Sequence, residues 1–427
     1  MKVGFISLGC AKNLVDSEFL IGMFDEANFD IEIDPNKCEL IIINTCGFIE
    51  PAKKEAIDTI LEMAYLKKDK LKYLIVTGCL VQRYYDDLVK EIPEVDLFIK
   101  IDDYKNAHNL IGNLINYKFN NKYGKNRKLV NSNASAYLKI SDGCDNRCSY
   151  CAIPLIRGNN RSIPIEDLVF EAKRLYDLGI RELNVVAQDT TVYGKDIYGK
   201  LALKDLLIEL DKIDFKWIRL LYMYPDEIND DLLITMKSLK HFIPYFDLPV
   251  QYGNDEILKL MNRRGSVSLI EEEIKKIREL FKDAYIRTTI IVGFPHETDK
   301  TFNDTLEFIK RVEFDSLGAF TYSKEEDTKA FDLDLQVEEE LKQDRFKKLM
   351  LTQKDIINRK FKAKIGKEYE VLIENKTSEY YVARSYESSP DDVDSYIYVK
   401  GKNLKVGQFV NVVIDEFKDY DFYAHII

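Results

Sequence analysis

The sequence predicts an α/β protein in three parts: an N-terminal parallel-sheet α/β domain, a central partial (βα)6 barrel and a small C-terminal all-β barrel. Three observations predict it. Short apolar runs alternate with helical stretches through residues 1–100, and again at larger scale through residues 134–322. After one long charged helix the alternation stops, and short β runs separated by turns replace it. The chain has 427 residues, too many for one compact core.

The elements follow in order. Strand-like runs fall at 2–7, 40–44, 73–77 and 95–99, each short and apolar as strands buried on both faces are. Helical stretches at 14–26, 52–67 and 81–91 lie between them. Residues 101–133 are polar and rich in Asn and Lys, which reads as linker. Barrel strands are expected at 137–140, 182–186, 217–221, 245–248, 286–292 and 317–321, with helices such as 165–178, 226–237 and 269–281 between. Residues 335–363 read as one charged helix, and β runs follow at 369–373, 396–399, 408–414 and 422–426. The expected domains are 1–115, 131–335 and 364–427.

Composition narrows the function. A hydrophobic content of 46% with 32% charged residues excludes wholesale disorder. The net charge of −11 is the wrong sign for a protein that grips phosphates, and it favours a basic partner. No apolar run is long enough for a membrane helix or signal peptide, so the expected setting is the cytoplasm, with no membrane partner. In that reduced compartment, seven cysteines point to metal or redox chemistry rather than disulfides.

Six of the seven fall into two sets. Cys144, Cys148 and Cys151 form a CxxxCxxC, three thiols within eight residues just after the first barrel strand. They can wrap one face of a 4Fe–4S cube and leave one iron open. A partial zinc site is the alternative, although structural zinc takes four protein ligands and no His lies nearby. Cys10, Cys46 and Cys79 are far apart in sequence, yet each stands just after a predicted strand, beside Gly9, Gly47 and Gly78. Strands of a parallel sheet share one C-terminal edge, where the three thiols can converge. Three separate structural cysteines are the other reading. Cys38 precedes its strand and reads as core.

The CxxxCxxC, with Tyr150 before its last cysteine, resembles the radical S-adenosylmethionine superfamily. Two three-cysteine sets followed by a small β domain resemble its methylthiotransferases over nearly the whole chain. Several segments resemble the branch acting on an aspartate of the twelfth small-subunit ribosomal protein. They are residues 7–18 (SLGCAKNLVDSE), Gln188-Asp189-Thr190-Thr191 with Tyr193-Gly194, Tyr222-Met223-Tyr224-Pro225, Met261-Asn262-Arg263-Arg264-Gly265, and Arg157-Gly158 with Arg161-Ser162. Gln251-Tyr252 and His296 depart from that pattern, which has Gln-His and, in the second place, Gly.

The resemblance implies two 4Fe–4S clusters: a radical-generating one on Cys144, Cys148 and Cys151, and an auxiliary one on Cys10, Cys46 and Cys79. It implies S-adenosylmethionine as cofactor, with Gly293, Phe294, Pro295, Glu297 and Arg157 near it, and a terminal TRAM domain of OB-like form. The residue-level alternatives are a helix start at Thr298 or Asp299 for the loop, and a structural salt bridge for Arg157 and Arg161. The implied reaction replaces a C–H bond at the aspartate β-carbon by C–S–CH3. A flavodoxin or ferredoxin type of electron donor is implied too. The alternatives are a tRNA adenosine methylthiotransferase, an iron–sulfur electron carrier and a binding module. Residues 364–427 hold 8 Lys and Arg against 12 Asp and Glu, with a focus at Asp391, Asp392 and Asp394. That acidity speaks against tRNA and for a basic ribosomal protein docking on the C-terminal β domain.

Overall fold

The computed structural model describes residues 1–130, 134–390 and 393–427. The end of the expected linker, 131–133, and Asp391 and Asp392 of the acidic focus lie outside the described residues.

The N-terminal sheet has five strands: β1 (Lys2–Ser7), β2 (Asp30–Ile31), β3 (Leu40–Thr45), β4 (Tyr73–Gly78) and β5 (Leu97–Ile99). All pairs are parallel, in the order β2-β1-β3-β4-β5. Every residue of β3 is buried. Ile42 packs into one apolar cluster with Phe24 and Ile75, while Ile41 and Ile43 pack into another with Ile60 and Val76. Both faces are covered, which is why the run is apolar without alternation.

The linker reading fails at its start. Ile101–Asn106 and Ala107–Ile115 are helical, and Ile101, Tyr104, Ala107 and Ile111 are buried in the N-terminal core. Further on, the buried Arg127 pairs with Glu18 and donates to the Tyr137 carbonyl at 2.6 Å. A polar segment is thus held at two points.

The central sheet contains β6 (Ser135–Lys139), then β9 (Glu182–Val186), β10 (Trp217–Leu220), β11 (Phe242–Asp247), β12 (Tyr285–Val292) and β13 (Ser316–Thr321); a short antiparallel ribbon, β7 (Ser141–Asp142) with β8 (Arg161–Ser162), intervenes after β6. Its six strands are parallel and run β13-β12-β11-β10-β9-β6, an open sheet as expected. Outer helices bury Leu168, Leu207, Ile274 and Leu306 against Leu183, Ile218 and Ile286 of the strands. The helix Glu339–Lys362 is shared by two cores: Leu349 and Ile356 enter the central one, Ile357 and Phe361 the C-terminal one.

The C-terminal strands are β14 (Glu368–Lys376), β15 (Tyr381–Ser385), β16 (Ile397–Lys400), β17 (Phe409–Lys418) and β18 (Asp421–Ile426). They close into a barrel in the order β14-β15-β16-β18-β17, with only β16 and β18 parallel. Strand β15 is the one the sequence reading lacks.

This barrel docks on the central sheet. Trp217 meets Phe409 edge-on at 4.8 Å. Glu182, fully buried, accepts from Arg219 of β10 and Arg384 of β15. The Tyr245 hydroxyl donates to Asp394 at 2.7 Å, and the Ser389 amide donates to the same carboxylate. Asp394 is therefore an internal contact, not a free surface charge. Among the described residues no helix is long and apolar enough to cross a membrane.

Candidate active site: two cysteine sets

Cys10, Cys46 and Cys79 follow the adjacent strands β1, β3 and β4 at their shared C-terminal edge. Cys10 stands immediately before the helix Ala11–Glu26, and Cys79 opens the helix Cys79–Glu91. The neighbouring glycines are a steric requirement. A Cβ on Gly9, whose φ is +90°, would stand 2.8 Å from Cys46 Cβ. One on Gly78, at φ +101°, would stand 2.4 Å from the Thr45 carbonyl oxygen. Only glycine lets these loops approach so closely.

Asn13 ties the three loops together. Its amide donates to the carbonyls of Leu8 and Thr45, both at 3.1 Å. Its side-chain oxygen accepts from the Cys79 thiol at 3.5 Å and from Arg157 at 2.6 Å. Asn13 stands within the SLGCAKN segment, but its role comes from contacts no single segment displays. The thiols feel one another: burial pushes Cys79 up to about 11, and Cys10 and Cys46 add to the effect despite Arg157. Burial raises Cys46 too, with Cys10 contributing.

The second set lies on the loop after β7. Gly143, at φ +76°, lies so close to the Asn159 carbonyl that a Cβ there would sit 2.1 Å from its oxygen. The Cys144 amide donates to the Gly158 carbonyl, closing the loop. Burial pushes Cys144 up to about 11 and raises Cys151 further, with Cys148 adding to both. Such thiols lose their protons when metal binds.

The segments carried by resemblance converge on this loop. The Tyr224 hydroxyl lies 2.7 Å from Cys148 Sγ, and Arg263 stacks over the Tyr224 ring at 3.7 Å. Arg264 donates to Asn146 of the cysteine loop and pairs with Asp226 and Glu227. Asn146 donates in turn to Asp189 at 2.6 Å. Lys12 of the N-terminal domain lies 3.8 Å over the Tyr222 ring, a direct contact between the Cys10 helix and the central domain.

The loop from Gly293 to Glu297 is beside the same motif. Phe294 is fully buried and packs edge-on against Tyr150 at 6.5 Å. Pro295 is buried. Glu297 accepts from the Gly293 amide at 2.9 Å and pairs with Arg345 at 2.8 Å, so its carboxylate braces the loop itself. The helix start is real as well: Thr298 forms a capping box with Thr301. His296 holds φ +67°, a conformation that favours glycine, and meets Asp334 at 2.7 Å. Gln251 likewise holds φ +74°. Arg157 makes structural ion pairs, with Asp142 at 2.9 Å and Asp16 at 3.1 Å. Cys38 is buried against Gly4, in the core.

Three thiols in each place fit an iron–sulfur cube with one open iron. Among the described residues no three metal-binding side chains converge closely enough for a single ion. Ser141 Oγ and Gln188 Oε1, both buried beside the second loop, lack a partner within the described chain, as fits a site completed by a polar ligand.

Residues 138–309 match the Radical SAM superfamily, residues 2–100 the uncharacterized protein family UPF0004, and residues 365–427 the TRAM domain. Solved structures with a similar fold include the radical S-adenosylmethionine methyltransferase TsrM from Kitasatospora setae with cobalamin and a [4Fe-4S] cluster bound (TM-score 0.58, 12% identity, 75% of this chain and 74% of that one). The cobalamin-dependent radical enzyme OxsB is another (TM-score 0.52, 13% identity, 84% and 56%). The chain is thus a radical S-adenosylmethionine protein in class. Relatives named ribosomal protein uS12 methylthiotransferase RimO are far more similar. That of Alkaliphilus oremlandii (strain OhILAs) is 47% identical over 100% of this chain and 99% of its own length. That of Clostridium novyi (strain NT) is 45% identical over 98% and 97%. The chain belongs to the RimO family of ribosomal protein uS12 methylthiotransferases.

Proposed function

We propose that this chain methylthiolates the β-carbon of an aspartate in ribosomal protein uS12, using two 4Fe–4S clusters and S-adenosylmethionine. The observation that carries the reading is the presence of two three-cysteine sets, one at the strand ends of the N-terminal sheet and one on the loop after β7, tied together by Arg157 reaching Asn13 and Cys79. When bound, the clusters and S-adenosylmethionine supply reductive sulfonium cleavage, hydrogen abstraction and sulfur delivery. The protein's own part is placement. Cys144, Cys148 and Cys151 hold one cluster, and Cys10, Cys46 and Cys79 hold the other. The loop from Gly293 to Pro295 lies against the first set through Phe294 and Tyr150, which supports it as a lining of the S-adenosylmethionine site. Glu297 and Arg345 keep that loop shut on its helix.

The functional domains are 1–115, 131–335 and 364–427. The acidic C-terminal barrel supports docking of a basic protein rather than tRNA, although Asp394 is spent on the internal contact with Tyr245. A ribosomal-protein substrate and cluster-binding thiols support a cytoplasmic setting for the reaction, with a flavodoxin or ferredoxin as electron donor. The test is mass spectrometry after anaerobic reconstitution, offering small ribosomal subunits and bulk tRNA in parallel. The expected result is a methylthio gain on an aspartate of uS12. A gain on tRNA adenosine, or none on either, overturns the proposal.

A further inference from the structure

Arg157 is the last residue of the helix Ile153–Arg157, which begins two residues after Cys151. The helix belongs to the central domain by sequence, yet Ala152 and Ile156 are buried in the N-terminal apolar cluster that also contains Cys79. Its terminal guanidinium is almost fully buried. One nitrogen of it reaches Asp142 of β7 at 2.9 Å. The other reaches Asn13 at 2.6 Å, Asp16 at 3.1 Å and Cys79 Sγ at 3.6 Å. Lys139 pairs with the same two carboxylates, Asp16 and Asp142. Two cations and two carboxylates therefore form a neutral buried set against one cysteine of the triad.

We infer that Arg157 is a positioning residue that locks the CxxxCxxC loop to the strand-end triad and sets the charge felt by the cluster on that triad. A planar guanidinium suits the task because its donors diverge to two domains at once, which a single ammonium cannot do. Loss of its charge leaves two carboxylates against one ammonium, a net negative charge beside Cys79. Negative charge near a cluster disfavours its reduction.

The inference rests on the two-cluster reading, and the test separates the two. Full-length chain carrying Cys144→Ala, Cys148→Ala and Cys151→Ala is reconstituted so that only the triad loads, and its cluster is titrated anaerobically by electron paramagnetic resonance. The converse chain, lacking Cys10, Cys46 and Cys79, reports the other cluster. Arg157→Gln is expected to lower the reduced-to-oxidised ratio of the triad cluster at fixed potential about tenfold, or about 59 mV for a one-electron couple. The other cluster should shift far less. Adding Asp16→Asn to Arg157→Gln restores a neutral set and should recover most of the shift, which a merely structural role would not do. Arg157→Lys, keeping the charge, should hold the ratio near that of the native residue even if Arg157→Gln loads poorly. An unchanged triad cluster in Arg157→Gln, an equal shift at both clusters, or no recovery with Asp16→Asn overturns the inference. Absence of any cluster on the triad with Arg157 intact overturns the two-cluster reading itself.

Discussion

Glu182→Gln removes one carboxylate from a set of four and leaves the guanidiniums of Arg219 and Arg384 with Glu374, which pairs with Arg384 at 2.6 Å. Glu182 and Arg219 are 0% exposed at their side chains and Arg384 is 1% exposed. Burial alone would raise the Glu182 carboxyl, but Arg384 and Arg219 outweigh it and hold it at about 2. Breaking a buried ion pair by removing one partner costs about 3–5 kcal/mol; here Arg219 is left without a carboxylate, while Arg384 keeps Glu374. Linkage gives a similar size. A glutamate ordinarily near 4.5 and held at about 2 in the fold contributes about 3 kcal/mol. Because the folded value is the lower one, that contribution is complete above pH 4.5 and is lost as pH falls toward 2. The single tryptophan, Trp217, sits at this junction against Phe409, so its fluorescence reports the docking of the C-terminal barrel. With a urea slope of about 2 kcal/mol per molar, Glu182→Gln should lower the midpoint by about 1.5–2.5 M. It should also flatten the acid limb between pH 4.5 and 2. A midpoint shift under about 0.3 M, well below the cost of leaving buried Arg219 without its carboxylate, would contradict this.

Other perturbations test other joints. Gly78→Ala puts a Cβ 2.4 Å from the Thr45 carbonyl oxygen in an unfavourable conformation, so Cys79 is displaced; iron per chain after reconstitution should fall from about 8 to about 4. Glu325→Gln strips a buried carboxylate from Lys53 and Arg83, at 3.1 and 3.2 Å, and from the Glu50 amide; hydrogen exchange should accelerate across 46–53, the loop that carries Cys46. Phe361→Ala empties the ring that meets Phe422 at 4.5 Å and should cost about 3–5 kcal/mol, read as a urea midpoint shift.

What the sequence shows and what it hides follow one division. The Cys10, Cys46 and Cys79 triad is legible because a parallel sheet brings strand ends to one edge wherever the strands are read correctly. The helices at Ile101–Asn106 and Ala107–Ile115 are hidden because four buried side chains are spaced through a polar composition. Strand β15 is hidden because its buried Arg384 interrupts the apolar alternation; that burial depends on Glu182, 202 residues away. Asn13, Tyr224, Arg263 and Arg264 stand in segments noted by resemblance, yet their contacts with the cysteine loops are purely tertiary. His296 shows the limit from the other side. Its backbone takes the conformation a glycine would take, and an exposed pair with Asp334 holds the ring.

The central claim is that two cysteine sites do two different jobs in one reaction. The direct measurement follows 5′-deoxyadenosine release and methylthio-aspartate on uS12 together, for the native chain and for two triple variants. The native chain should give both products. Cys10→Ala with Cys46→Ala and Cys79→Ala should release deoxyadenosine and leave the aspartate unmodified. Cys144→Ala with Cys148→Ala and Cys151→Ala should give neither. Modified aspartate from the chain lacking Cys10, Cys46 and Cys79 would contradict the account.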